Sequence, residues 1–216
     1  MLKLVACFAL LGQVSSLFDP TMCGQGKTCV AIPDGCITTS PSTCQQGISF
    51  KRSSASFLEV ELFSNNLGDN SAYTSYMAIG FQPAACAEVE TASTMPCMAS
   101  APVMECSALN GRLMSPAVSW NTADPMNVRI DNAADLATAV ALSMSALENA
   151  NGQTYCKLTQ RITGAPLNGL PNANQVFQYN PTQKYAILMA AGVTNGSVLT
   201  HHPHPNTMVS KMRYQF

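Results

Sequence analysis

Eight cysteines spread behind an apolar leader limit what this chain can fold into. Lys3 is the only charge before Asp19, Leu4 to Leu11 reads LVACFALL, and Ser15 and Ser16 follow. A charged start, a short apolar run and a small-residue cleavage site define a secretory signal peptide, 1–16, cut after Ser16. The run is too short to cross a bilayer, which takes about 20 apolar residues. No membrane span is therefore expected in the mature form. Cys7 lies inside the leader, leaving Cys23, Cys29, Cys36, Cys44, Cys86, Cys97, Cys106 and Cys156. An even number outside the leader fits an oxidised framework in a secreted, extracellular protein. Eight cysteines allow on the order of 100 pairings, and spacing alone does not choose among them. Zinc is the competing use of cysteine. There is no C-x-x-C, and the histidines sit together at His201, His202 and His204, so the usual zinc spacings are missing.

Charged residues make up 11% of the chain and the net charge is −1, so no field exists that would draw nucleic acid. After Glu148 the charges are all basic: Lys157, Arg161, Lys184, Lys211 and Arg213. This reads as a solvated face. Asn195-Gly196-Ser197 is an acceptable N-glycosylation sequon, whereas Pro181 blocks the one at Asn180. Asn-Gly also marks a hairpin tip, which places Asn195 at the surface.

Residues 17–45 carry four cysteines and few large apolar residues, and are expected to be a loop-rich disulfide segment that cannot build a core alone. From 46 to 216 the pattern becomes short apolar runs between Gly, Pro, Asn and Asp clusters. Strands are expected at Ile48–Lys51, Phe57–Leu62, Tyr73–Phe81, Pro102–Ala108, Gly111–Val118, Met126–Ile130, Gln153–Ile162 and Lys184–Ala191. Such spacing implies one antiparallel β-sandwich or barrel. Asp135–Asn149 has helix-forming composition, but Val140, Leu142 and Met144 alternate with small residues, and a strand is expected there. Residues 84–100 are expected to be a loop closed by a Cys86–Cys97 bond. Glu59 and Glu61 share one face of a strand, and two like charges there mark a solvated side rather than an acid/base pair.

Four segments, taken in order, resemble a DOMON domain. They are Tyr76-Met77-Ala78-Ile79-Gly80-Phe81; Val103-Met104-Glu105-Cys106; Gly152 to Arg161 (GQTYCKLTQR); and Tyr185 to Gly192, followed by Gly196-Ser197 and His201. The third carries Leu158 where the family usually has an aromatic residue. The similarity runs over roughly residues 23–214. It lies nearest the ferric-chelate reductase-like branch and the cytochrome-type module of cellobiose dehydrogenase. The resemblance implies an all-β, immunoglobulin-like sandwich with a disulfide-rich N-terminal extension. It also implies a Cys106–Cys156 bond, with the four N-terminal cysteines pairing among themselves in an order left open.

In haem-binding members of the family, one Met and one His ligate a b-type haem at the mouth of the sandwich. Such a pair makes a low-spin electron-transfer centre. The resemblance implies Met98 as one ligand, with Met95 as alternative, and His201 as the other, with His202 as alternative. Lys157, Arg161 or Lys184 would meet the propionates. Plainer roles compete with these. The chain has 12 Met, most of which fill gaps, and the HHPH run is polar and broken by proline. Imidazoles at 201, 202 and 204 could bind copper or zinc, but no carboxylate lies near them in sequence. There is no G-x-S-x-G and no H-E-x-x-H, and no cysteine is left over as a nucleophile. Two functions remain open: haem b binding for electron transfer, or a cofactor-free module binding a glycan or an extracellular protein. An open aromatic cleft near Trp120 or Tyr76 would point to sugar.

Overall fold

The computed structural model describes residues 17–216 apart from 66, 68–73, 84–97, 125, 197 and 201–206. Cys86, Cys97, Met95, His201 and His202 lie outside the described residues. In chain order the strands are β1 (Thr28–Ile32), β2 (Gln46–Arg52), β3 (Phe57–Ser64), β4 (Ser75–Gln82), β5 (Pro102–Leu109), β6 (Arg112–Leu113) and β7 (Ala117–Asn121). The chain continues through β8 (Asn127–Arg129), β9 (Ser143–Ala150), β10 (Gln153–Arg161), β11 (Tyr185–Asn195), β12 (Val198–Leu199) and β13 (Thr207–Tyr214). Two short helices interrupt them, α1 (Cys36–Thr39) and α2 (Ala133–Ala139). Every pairing within a sheet is antiparallel.

The strands make two layers, as an all-β sandwich requires. One sheet has the order β1-β2-β3-β10-β9. The other runs β12-β11-β4-β5-β7-β8, with β13 also on β11 and β6 on β5. Alternation decides the inward faces. Leu58, Val60 and Leu62 of β3 and Cys156 and Leu158 of β10 meet Met77, Ile79 and Phe81 of β4, Met104 and Cys106 of β5, and Ile187 and Met189 of β11. All are buried to within 2% of complete exclusion from solvent, so the layers are in close apolar contact.

Three disulfides are described. Cys23–Cys29 and Cys36–Cys44 close the N-terminal segment, with Cα separations of 5.5 and 5.3 Å. Cys106–Cys156 crosses the core from one sheet to the other, with a Cα separation of 6.7 Å. Such bonds persist in oxidising compartments. Among the described residues no helix is long and apolar enough to cross a membrane.

Three segments differ from the sequence expectation. The N-terminal segment is not all loop: its β1 pairs along β2, from Thr28 opposite Phe50 to Ile32 opposite Gln46. The stretch Gly111–Val118 is two strands, because Pro116 cannot sit inside a ladder and falls between β6 and β7. The expected strand over Asp135–Asn149 is a helix followed by a strand. Leu136 and Val140 are one helical turn apart, and both bury completely against Val118, Ile130 and Val176. Ala141, at φ 46°, ends α2: its N–H reaches the Thr138 carbonyl, and the Leu142 N–H reaches that of Ala137. This is a Schellman cap with alanine in the usual glycine position. The period-two pattern is real from Leu142 onward. A bulge at Ser145 then shifts its phase, since Met144 pairs Leu158 while Ala146 pairs Lys157.

The buried bridge gives a direct test. Replacing Cys106 and Cys156 together by alanine is expected to cost about 2–5 kcal/mol of unfolding free energy. Urea unfolding under non-reducing conditions measures it. A loss under about 1 kcal/mol would mean that apolar packing alone joins the layers.

Candidate functional site

The two outer faces carry most of the polar chemistry. On the first sheet, Glu61 of β3 faces out under the N-terminal segment. It accepts hydrogen bonds from Lys27 Nζ (2.5 Å), Ser49 Oγ (2.6 Å) and Tyr155 Oη (2.9 Å). Phe18 packs on Phe63 with ring centroids 4.5 Å apart, and Lys27 lies 4.7 Å over the Phe18 ring. Burial pushes the Glu61 carboxyl up, but the hydrogen bonds and the Lys27 charge outweigh it, so its pKa lies below the ordinary glutamate value. Burial and the bond to Glu61 push the Tyr155 phenol up. Glu59 shares the face as expected and pairs with Lys51 (3.0 Å) and Lys157 (3.2 Å). Glu61, however, is not solvated: its side chain is 12% exposed.

On the second sheet, Glu105 of β5 is 1% exposed on the outer face. Arg129 of β8 reaches across β7 to it, with Nε at 2.7 Å and Nη2 at 2.6 Å, and also donates to Ser107 Oγ at 2.9 Å. Asn127 donates to Ser119 Oγ (2.9 Å) and Asn121 Oδ1 (3.1 Å) beside them. Burial raises the Glu105 carboxyl against the pull of Arg129. The Tyr76 phenol is pushed up to about 12 by burial and by the Glu105 charge.

Of the expected haem ligands, Met98 alone lies among the described residues. Met98 is half-buried in the turn before β5. Gln82 Nε2 donates to the Ala99 carbonyl (2.5 Å), and Ser100 N–H to that of Thr122, which fixes this turn at the Gln82 end of β4. Thr200 precedes His201. Its N–H and Oγ1 donate to the Val193 carbonyl, and its own carbonyl accepts from Tyr76 Oη at 2.9 Å. Gly192 leaves room for this tyrosine, since a Cβ there would lie 2.5 Å from the ring. Tyr76 and Gln82 stand six residues apart on one strand, about 20 Å. The structure therefore holds the Met98 turn and Thr200 at opposite ends of the second sheet.

The candidate propionate partners and aromatic residues are spread over the molecule. Lys157 is paired to Glu59, and Arg161 stacks 5.4 Å over Phe57; both point outward from β10. Lys184 lies beside the Gln82 end, where Gln183 and Arg213 donate to the Pro83 carbonyl. Tyr76 is buried, and Trp120 is partly buried beside the cluster of Val118, Ile130 and Leu136. Asn195 is exposed at the end of β11, and Gly196, at φ 60°, turns the chain after it.

The residues that gather most closely were not singled out by sequence. At the Gln82 end, between the sheets, Phe50, Phe81, Phe177, Tyr179 and Tyr185 surround Phe216. Phe81 and Phe177 stack at 3.9 Å. Gln160, on the inner face of β10 and fully buried, donates to the Phe177 carbonyl at 2.8 Å. No family model matches the chain, and no curated protein or solved structure matches it either.

The Glu61 cluster gives a pH dependence with a defined sign. The folded pKa is the lowered one, so its stabilisation is complete above the ordinary glutamate value of about 4.3 and is lost as pH falls through the folded value. Glu61→Gln is expected to lower stability at pH 7 by about 1–3 kcal/mol and to flatten the fall in Tm between about pH 5 and pH 3. Parallel acid limbs in Tm scans of the two proteins would contradict this.

Proposed function

We propose that this chain is a secreted DOMON-type sandwich that works outside the cell as a cofactor-free protein-interaction module. The class rests on the four sequence segments of the DOMON pattern and on the two-layer, disulfide-linked fold that carries them. Secretion is supported by the leader over 1–16 and by three disulfides.

The observation that carries the cofactor-free reading is the separation of about 20 Å along β4 between the anchor of the Met98 turn and that of Thr200. Two axial ligands must reach a single iron atom. The candidate propionate partners Lys157 and Arg161 face away from the core, which removes a further part of a haem site. A protein partner is favoured over a glycan because Tyr76 is buried and Trp120 is partly buried against its own cluster. The edge strand β8, by contrast, exposes Val128 (40%) with Met126 (65%) beside it. A sheet edge flanked by apolar side chains suits an added strand from a partner.

The test is an absorption spectrum of protein secreted from eukaryotic cells, recorded before and after adding haem. No Soret band is expected in either state. A Soret band with resolved α and β bands on reduction, lost in His201→Ala, would replace this reading with a secreted cytochrome. The same preparation tests the sequon. Enzymatic release of N-glycans is expected to lower the mass by one glycan, and Asn195→Gln to abolish the shift.

A further inference from the structure

The hairpin between β2 and β3 carries the one pair of adjacent basic residues in the chain, Lys51-Arg52. Both are exposed, and so are Ser53, Ser54 and Ala55 after them. The ladder ends here: Arg52 pairs with Leu58, and the Ser53 N–H donates to the Phe57 carbonyl at 3.0 Å. The Arg52 side chain is held only by surface contacts. Its guanidinium lies 5.2 Å over the Tyr179 ring and donates to the Ser54 and Ala55 carbonyls. Such contacts are weak where water reaches them, and opening one hairpin end costs far less than global unfolding. Exposed tips of small, polar residues are where proteases nick folded chains.

The disulfides divide at the same place. Every cysteine between 17 and 52 is bonded inside that segment, Cys23 to Cys29 and Cys36 to Cys44. The inter-sheet bond, Cys106 to Cys156, lies wholly on the other side. No disulfide therefore ties residues 17–52 to the rest. They are held by the β2–β3 ladder, the Lys27–Glu61 ion pair and the packing of Phe18 on Phe63. Other basic residues are less available to a protease. The Lys27 side chain is 7% exposed, Arg129 is bound to Glu105, and Lys157 lies inside β10.

We propose that the Arg52–Ser53 bond is a processing site for a serine endoprotease that recognises paired basic residues, and that cutting it makes a two-chain protein with no covalent link between its chains. Water adds across the amide: its hydroxyl goes to the Arg52 carbonyl carbon and a proton to the Ser53 nitrogen, leaving a carboxylate and an amine. Acidic pockets of the protease take Lys51 and Arg52 once the Ser53–Phe57 bond and the Arg52 side-chain contacts have opened. The N-terminal chain, with β1 and β2, then stays as the edge of the first sheet and can leave only by opening the β2–β3 ladder. This goes beyond the interaction-module reading and rests on its secretion alone, which brings the chain to such proteases. The two fail separately: a failure of secretion shows as absence from the medium, a failure of the site as resistance of the purified chain.

The folded full chain is treated with trypsin and with a purified endoprotease specific for Lys-Arg pairs, and the products are read by intact mass and N-terminal sequencing. Trypsin is expected to cut after Arg52 at least tenfold faster than after any other basic residue. The pair-specific enzyme is expected to cut there alone, giving a new N-terminus at Ser53. The two chains are expected to co-elute in size exclusion under native conditions and to separate in denaturant without reductant. Lys51→Gln is expected to slow the pair-specific enzyme at least tenfold while trypsin still cuts after Arg52, and Arg52→Gln to stop both at this bond. Cooperative unfolding of each variant is the folding control. A first cut elsewhere in the folded chain, or a cut at Arg52 no faster than global unfolding, overturns the site. Fragments that stay joined in denaturant without reductant, or that part under native conditions, overturn the two-chain product.

Discussion

The bond between Cys106 and Cys156 ties β5 to β10 through the middle of the apolar layer, where both residues are 0% exposed. It spans 50 residues of sequence, and on the chain-entropy account closing a loop of that length stabilises by about 4 kcal/mol. Its placement matters as much as its magnitude. β5 is flanked by β4 and β7, and β10 by β3 and β9, so the bridge joins an interior strand of each sheet. The inward residues on either side, Met77 and Met104 from one layer and Leu62 and Leu158 from the other, then pack at a separation this bond helps to set.

The N-terminal segment is held by a different balance. Its own apolar contribution is small: Phe18, Ala31 and Ile37 join Phe63 and Tyr155 in a satellite cluster on the outer face of the first sheet. Two short-range disulfides remove much of the freedom such a segment would otherwise lose on ordering. Lys27 is then carried over Glu61, where three donors converge on one carboxylate. Burial of the charge is tolerated because each oxygen is met by a donor, and charge-assisted hydrogen bonds are the strong ones. Gly47 completes the fit: a Cβ there would lie 2.6 Å from the Phe63 ring that Phe18 packs against.

Most of the sandwich was legible from alternation. Strands β2 to β5, β10 and β11 carry the apolar residues of the core at every second position, and their runs are bounded by Gly, Asn or Pro. The Asn151-Gly152 turn, with φ of 55° and 76°, joins β9 to β10 where a tight hairpin demands positive φ twice. Helix α2 was not legible, because Val140 and Leu142 satisfy a two-residue period while Leu136 and Val140 satisfy a helical one. β1 was hidden because it is short and only Val30 and Ile32 are large apolar residues, alternating with Cys29 and Ala31. The aromatic end was illegible for another reason. Phe50, Phe81, Phe177, Tyr185 and Phe216 come from distant parts of the chain, and no local pattern announces their meeting. Motif order likewise carries no information about ends: Met98 and His201 come after different strands of one sheet, and only pairing register reveals where Gln82 and Thr200 are anchored.

The Glu105–Arg129 pair decides how the edge of the second sheet is presented. β8 is three residues long, and all three are exposed, so apolar burial does little to keep it in place. It is held by its pairing with β7 and by one guanidinium that reaches past that strand to a buried carboxylate on β5. A buried ion pair adds little net stability compared with apolar side chains of the same volume, yet removing one partner leaves the other charge stranded. Arg129 thus makes the outermost strand's position conditional on Glu105 rather than on burial. The edge is kept in register while its outer backbone and the exposed Val128 side chain stay free of the core. An edge built mainly for stability would bury its side chains; this one is positioned by charge and left presented.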